Sequence, residues 1–259
     1  MRFADVYNDR VGIRPRDPPS TRMKLLDYTL PSPAENLALD EALLLAAEGG
    51  TGGEVLRLWE LPTYAVVVGS GGSVGIDVNL SACEADGVPV LRRASGGGTV
   101  LLGPGCLCFS LVLGYDRAPG LNEIPASNRY ILARVVRALA PAVAAVVEGS
   151  SDLAAGGVKF SGNSQQRKRR FFLHHGTLLC GFDLARVPKY LNPPERQPAY
   201  RRDRPHAAFV ANLPVSVEEV KSLLVAEWRP EGEYGPVPLE KVRELVAEKY
   251  ARDEWNRRR

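Results

Sequence analysis

The chain has 259 residues, 45% of them hydrophobic and 24% charged, with a formal net charge of +3 at pH 7. That composition fits a globular protein with one large core or at most two, and the charge is too small to argue for nucleic acid by itself. No apolar run approaches the roughly 20 residues of a membrane helix, and MRFADVYNDRVGIRPRDPPS has no apolar centre like that of a signal peptide, so a cytoplasmic, non-membrane protein with free thiols is expected.

Residues 1–22 hold Pro15, Pro18 and Pro19 among charges and read as an arm; the remainder, 23–259, reads as one domain. KLLDYTL is strand-like. SPAENLALDEALLLAAEGG is a helix: Ser32 and Glu35 fit a capping box, Pro33 suits the first helical position, and Gly49 and Gly50 end it. VLRLWEL and YAVVVG are strands separated by Pro62. A short helix near LSACEADG leads to the strand VPVLRR, a glycine loop and the strand CLCFSLVLG. NRYILARVVRALA has helical apolar spacing. AAVVEG, SDLA and RFFLHHGTLLCGF are strands, and 189–205, rich in Pro and Arg, is loop. VEEVKSLLVAEW and PLEKVRELVAEKYARDEW are helices. Strands come in adjacent pairs more often than they alternate with helices. The expected class is therefore α+β, with a mixed sheet flanked by helices.

Two clusters carry chemistry. In LRRASGGGTV, Gly96, Gly97 and Gly98 follow Arg92 and Arg93 directly. Each glycine loses backbone entropy on ordering, but consecutive glycines let N–H groups converge on an anion, and an adjacent arginine can balance its charge. A glycine-rich hairpin with solvated arginines fits this stretch equally well. The loop is neither a Walker A sequence nor GxGxxG. In GVKFSGNSQQRKRRFFLHHGTLL, Lys159 precedes a small-residue turn, Ser161-Gly162-Asn163-Ser164, and a strand ends in His174-His175-Gly176-Thr177. RKRR at 167–170 is a solvated turn or a docking patch for an acidic partner; without interleaved aromatics it does not read as a nucleic-acid surface. Cys83, Cys106, Cys108 and Cys180 form no CxxC pair, and His206 is the only further histidine, so no metal site is expected.

RRASGGGTV, GVKFSGNSQQ and HHGTLL, in that order and spacing, resemble the lipoate–protein ligase A family of the biotin and lipoate ligase and octanoyltransferase superfamily. ENLALDEALL and LVAEKYARDEWN resemble its first and last segments, so the likeness runs from about 24 to 256. The resemblance implies an α+β catalytic domain, use of ATP with Mg²⁺, and lipoate as substrate. An acyl-adenylate forms, and a lysine of an acceptor protein domain attacks it. It puts Arg93, Ser95, Gly96, Gly97, Gly98 and Thr99 along the adenylate, with Lys159 bridging acyl carbonyl and phosphate. Ser161, Gly162 and Asn163 approach the nucleotide, and His175, Gly176 and Thr177 line the opposite wall. Asp152 matches an acidic position that orients the lysine.

Two departures stand out. Cys106 and Cys108 stand where the family carries asparagines, and VVVGSGGSVGIDVN replaces a GRxQN-like turn. Two-domain members continue past the segment that LVAEKYARDEWN resembles. No accessory domain is expected after it, so either a separate small protein serves as an accessory partner, docking on Arg167 to Arg170, or the single domain carries out both steps. The rival readings are an octanoyltransferase using a cysteine thioester, with Cys106 or Cys108 as a displaced nucleophile, and a non-catalytic factor that binds lipoyl domains.

Overall fold

The computed structural model describes residues 23–193 and 197–258; the expected arm over 1–22 lies outside them. Ten strands follow one another along the chain: β1 (Lys24–Asp27), β2 (Val55–Trp59), β3 (Ala65–Val68), β4 (Val90–Arg92), β5 (Val100–Leu102), β6 (Cys106–Gly114), β7 (Val146–Glu148), β8 (Asp152–Ala155), β9 (Val158–Arg167) and β10 (Phe171–Leu179). Seven form a sheet in the order β1-β2-β6-β10-β9-β8-β7, and a small sheet has the order β4-β3-β5. Each sheet is mixed, since β1 runs parallel to β2 and β4 parallel to β3 while the other pairs are antiparallel.

Helix α1 (Pro33–Gly49) starts at Ser32, whose hydroxyl accepts from the Glu35 amide while the Glu35 carboxylate accepts from the Ser32 amide. It stops at Gly50, where φ is +81° and a side chain would be strained. Its buried run includes Leu39 and Leu44, both 0% exposed, each worth about 1.5–3 kcal/mol of burial. The short helices α2 (Val74–Asp77) and α3 (Leu80–Ala85) lie between the strands of the small sheet. Further along come α4 (Ile124–Leu139), α5 (Val187–Tyr190), α6 (His206–Phe209), α7 (Val217–Trp228), α8 (Leu239–Leu245) and α9 (Asp253–Asn256).

The large sheet is covered on both faces. One face packs Val55, Trp59, Cys108, Val112 and Leu173 against α1, the small sheet and α8. The other packs Leu56, Leu58, Phe109, Leu111 and Phe172 against α4 and α7. This is why β2 and β6 read as apolar runs interrupted only at Arg57 and Ser110 instead of alternating. The first face, under the small sheet, carries the candidate site.

Two expectations change. Ser161-Gly162-Asn163-Ser164 is not a turn but the middle of the ten-residue strand β9. Small polar residues have turn chemistry, yet pairing with β8 and β10 on both sides holds these extended. The last expected helix is broken: α8 ends at Leu245, a wider π turn spans Val246–Tyr250, and α9 begins only at Asp253. Side-chain anchors draw the chain inward there: the Tyr250 hydroxyl donates to Glu41 at 2.6 Å and the Asn256 amide to Tyr250 O at 2.9 Å.

Candidate active site

Two glycine-rich turns stack at the C-terminal ends of β3 and β4. The Ser70 amide donates to Ser95 O at 2.8 Å. A Cβ on Gly69 would stand 2.0 Å from Gly97 O, so only glycine allows this approach. The arginines build these turns. Arg92, wholly buried, donates to Gly69 O at 2.9 Å and Gly72 O at 2.8 Å. Arg93 donates to Gly96 O at 2.6 Å, Gly98 O at 2.8 Å, Val67 O at 3.2 Å and Ser95 Oγ at 3.0 Å. Burial brings the Arg93 pKa down to about 10, which leaves it charged at neutral pH. Its cation therefore turns the loop carbonyls inward. Gly97 has φ +86°, and the amides of Gly96, Gly97 and Gly98 carry no hydrogen bond among the described residues. Such amides are free to meet an anion. Ser164 on β9 braces the loop, donating to Gly96 O at 2.7 Å, and Thr99 donates to Asp77 Oδ2 at 2.7 Å.

A buried chain of polar groups runs from this loop into α1. Ser95 Oγ lies 2.6 Å from His175 Nε2, and His175 Nδ1 lies 3.1 Å from Asp40 Oδ2. Asp40 also accepts from Ser110 Oγ at 2.7 Å and from Arg57 Nη1 at 2.6 Å. Burial raises the Asp40 pKa, but Arg57, His175 and Ser110 together outweigh it, and the carboxyl sits below its usual range. An ionised Asp40 takes the proton-bearing Nδ1. This leaves Nε2 as an acceptor for the Ser95 hydroxyl, while Ser95 Oγ accepts from Arg93. Asp40 and Arg57 were not singled out in the sequence. The available signal was an arginine inside the apolar strand VLRLW and an acid inside the apolar helix LALDEALLL. Two charges at apolar positions call for one another.

Lys159 reaches the same face through a β-bulge. Leu153 pairs with Ser161 and Ala154 with Lys159, so Phe160 is the extra residue. Phe160 goes into the core beneath α4 and α7, and Lys159 turns to the opposite face. Its ammonium stands 2.8 Å from Asp152 Oδ1, with the two side chains 28% and 16% exposed. A Cβ on Gly162 would lie 3.2 Å from Lys159 Nζ and 3.3 Å from Cε, so the lysine stem runs across bare backbone.

The remaining candidates divide between the faces. Thr177 shares the site face, opposite Cys108 on β6. Ser161 and Asn163 turn the other way: Asn163 donates to Ser151 O at 2.8 Å and Ser161 Oγ at 3.1 Å, and its Oδ1 lies 3.3 Å from His174 Nε2. Gly176 makes room for that side chain, since a Cβ there would lie 1.9 Å from Asn163 Oδ1. His174 is fully buried, and desolvation followed by the electrostatic influence of neighbouring His175 lowers its pKa to about 3.

All four cysteines are buried. Burial pushes the Cys108 thiol well above its usual range and the Cys180 thiol up to about 12. In the basic turn, Arg167 lies 4.9 Å from the Tyr115 ring and 5.0 Å from that of Phe172, and Arg170 pairs with Glu48, while Lys168 and Arg169 are exposed. Among the described residues no three His, Cys, Asp or Glu side chains form a cluster that could hold a metal ion, and no helix is long and apolar enough to cross a membrane.

A family model of the lipoyl protein ligase A/B catalytic domain matches residues 32–229. An Aeropyrum pernix protein described as a lipoate-protein ligase A is 33% identical over 206 residues, 79% of this chain and 74% of that protein. A Mycoplasma pneumoniae protein of the same description is 36% identical over 170 residues, covering 64% of this chain and 49% of that one, so the chain spans about half its length. Among solved structures, the Thermoplasma acidophilum bi-partite lipoate protein ligase, reported with its E2 lipoyl domain, superposes with a TM-score of 0.78 at 24% identity, covering 92% of this chain and 97% of that one. A lipoate-protein ligase A bound with ATP gives 0.77 at 24% identity, covering 92% and 99%. These likenesses show the expected fold, a mixed sheet flanked by helices. With the domain matched over most of its length and a relative of one-third identity over four-fifths of it, the chain belongs to the lipoyl protein ligase A/B catalytic domain family.

Proposed function

We propose that this protein is an ATP-dependent lipoate–protein ligase with its catalytic domain over 23–259. The lipoate carboxylate attacks the α-phosphorus of ATP, giving lipoyl-adenylate and pyrophosphate. The amine of a lysine on a lipoyl-acceptor domain then attacks the acyl carbon; an amide forms, AMP leaves, and the amine loses a proton. The observation that carries this reading is the bulge that brings Lys159 and Asp152 to the face where the Gly96–Gly98 amides are free. The amides and the Lys159 ammonium then meet the phosphate charge that develops as AMP departs.

Arg93 acts in this scheme by shaping the loop, because its guanidinium faces carbonyls. Ser95, Thr99, His175 and Thr177 form the polar wall of the site, and Gly162 gives Lys159 its path. Ser161, Asn163 and Gly176 support it from behind the sheet. Eight methylenes of an acyl chain, at about 0.8 kcal/mol each, supply several kcal/mol of ground-state binding. Mg²⁺ enters with the phosphates of ATP, as is usual where protein ligands are few. The burial of all four thiols, with that of Cys108 pushed well above its usual range, favours this reading over a cysteine-thioester octanoyltransferase, and the assembled site favours an enzyme over a binding factor.

The same reading includes a cytoplasmic location and a small accessory protein. Closure over the adenylate excludes water that would hydrolyse it, and the exposed Lys168 and Arg169 suit an acidic partner. The experiment assays two half-reactions: transfer from synthetic lipoyl-adenylate to an acceptor domain, and pyrophosphate release from MgATP and lipoate. Transfer should fall at least 10²-fold in Lys159→Ala with the fold intact; near-normal transfer would overturn the assignment. Full pyrophosphate release by the chain alone would remove the accessory protein.

A further inference from the structure

Residues 198–211 fold back over the hairpin that carries Asp152 and Lys159. The Ala211 amide donates to Lys159 O at 2.9 Å, and Val210 forms an isolated bridge with Lys159. Phe209, 3% exposed, anchors the return, and its ring centre lies 5.1 Å from that of Tyr200. Arg204 ties the strap down, with Nη2 2.9 Å from Gly157 O and from Tyr200 O. In this setting the Tyr200 hydroxyl donates to Asp152 Oδ2 at 2.7 Å, while Asp152 Oδ1 takes Lys159 at 2.8 Å. The two carboxylate oxygens thus serve different partners.

We propose that Tyr200 is a positioning residue for Lys159: its hydroxyl clamps one oxygen of Asp152 so that the other aims the ammonium across Gly162. The proposal rests on Lys159 being the group that acts on the acyl phosphate. A lysine ends in a compact charge on a flexible four-carbon stem. A carboxylate free to rotate takes that ammonium with both oxygens and draws it back toward β8. A carboxylate held at Oδ2 offers one oxygen in one direction. Tyr200 is suited to this, because burial and then the Asp152 hydrogen bond raise the phenol's pKa and keep it a donor at neutral pH.

The test is a double-mutant cycle on the full chain, read as transfer from synthetic lipoyl-adenylate to an acceptor domain. Tyr200→Phe keeps the ring against Phe209 and removes only the hydroxyl. Its kcat should fall about tenfold, the order set by one hydrogen bond to a charged group, with KM within about twofold and the thermal midpoint within a few degrees. In an Asp152→Ala background the same substitution should change kcat less than about twofold, because no side-chain oxygen is left for the hydroxyl to hold. Equal losses in both backgrounds, or an unchanged kcat in Tyr200→Phe, would overturn the proposal. Lys159→Ala is measured alongside. If it abolishes transfer while Tyr200→Phe does nothing, the positioning role alone falls. If it leaves transfer intact, or the unaltered chain transfers nothing, the reading of the site falls and the proposal with it.

Discussion

Replacing Asp40 by Asn tests whether the buried polar chain beneath the glycine loop is an electrostatic device. The Asp40 and Arg57 side chains are 3% and 0% exposed, and their charges meet at 2.6 Å. Asparagine keeps the volume and removes the charge. Arg57 still donates to Asn36 Oδ1 at 2.6 Å and Asn36 O at 2.8 Å, but it has then no counter-charge there. Leaving a buried cation without its partner costs about 3–5 kcal/mol. For a domain of this size that lowers the thermal midpoint by about 6–20 °C. Thermal unfolding followed by circular dichroism at pH 7 measures it. The pH dependence gives a second reading. The Asp40 carboxyl sits below its usual range in the folded state, so its contribution is complete above that range and is lost as pH falls through the folded-state value. The gap between the parent and Asp40→Asn should therefore close in acid. A midpoint shift under about 2 °C at pH 7, or a gap that persists at low pH, would refute the reasoning. Activity should fall as well, because His175 loses the acceptor that orients Nδ1.

The remaining expectations are briefer. Gly69→Ala puts a methyl group 2.0 Å from the Gly97 carbonyl oxygen and should abolish pyrophosphate release, whereas Gly71→Ala meets nothing within 4 Å and should be neutral; equal behaviour of the two would mean the loop contact does not matter. His174, with a pKa of about 3 against the usual value of about 6.5, stays neutral in the fold, so the unfolded chain takes up the proton first on acidification. Stability is complete above about pH 6.5 and declines below it by up to about 1.4 kcal/mol per pH unit; urea titrations at several pH values should show that slope, and His174→Gln should lack it. Iodoacetamide should leave the native enzyme active, because all four thiols are buried; rapid inactivation traced to Cys106 or Cys108 would favour a thioester mechanism.

Much of the molecule follows from local chemistry that its own sequence carries. The capping box at Ser32 and Glu35, the stop at Gly50 and the glycines of the loop depend on residues a few positions apart, so their physics is visible in a short window. The order of motifs likewise marked the family and pointed to Lys159 and Asp152. Long-range pairing decided where those residues sit. Arg93 reads as a ligand cation from its place beside three glycines; the small sheet buries it together with Arg92, and a buried guanidinium must satisfy its donors on nearby carbonyls. Ser161 to Ser164 have turn composition, yet two neighbouring strands hold them extended, and a single bulged residue chooses which face Lys159 enters. Asp40, Arg57 and His175 meet across 17 and 135 positions of sequence separation. No periodicity encodes such a meeting; it exists only because the sheet order brings β2, β6 and β10 side by side under α1, where a buried charge is stable only beside its partner.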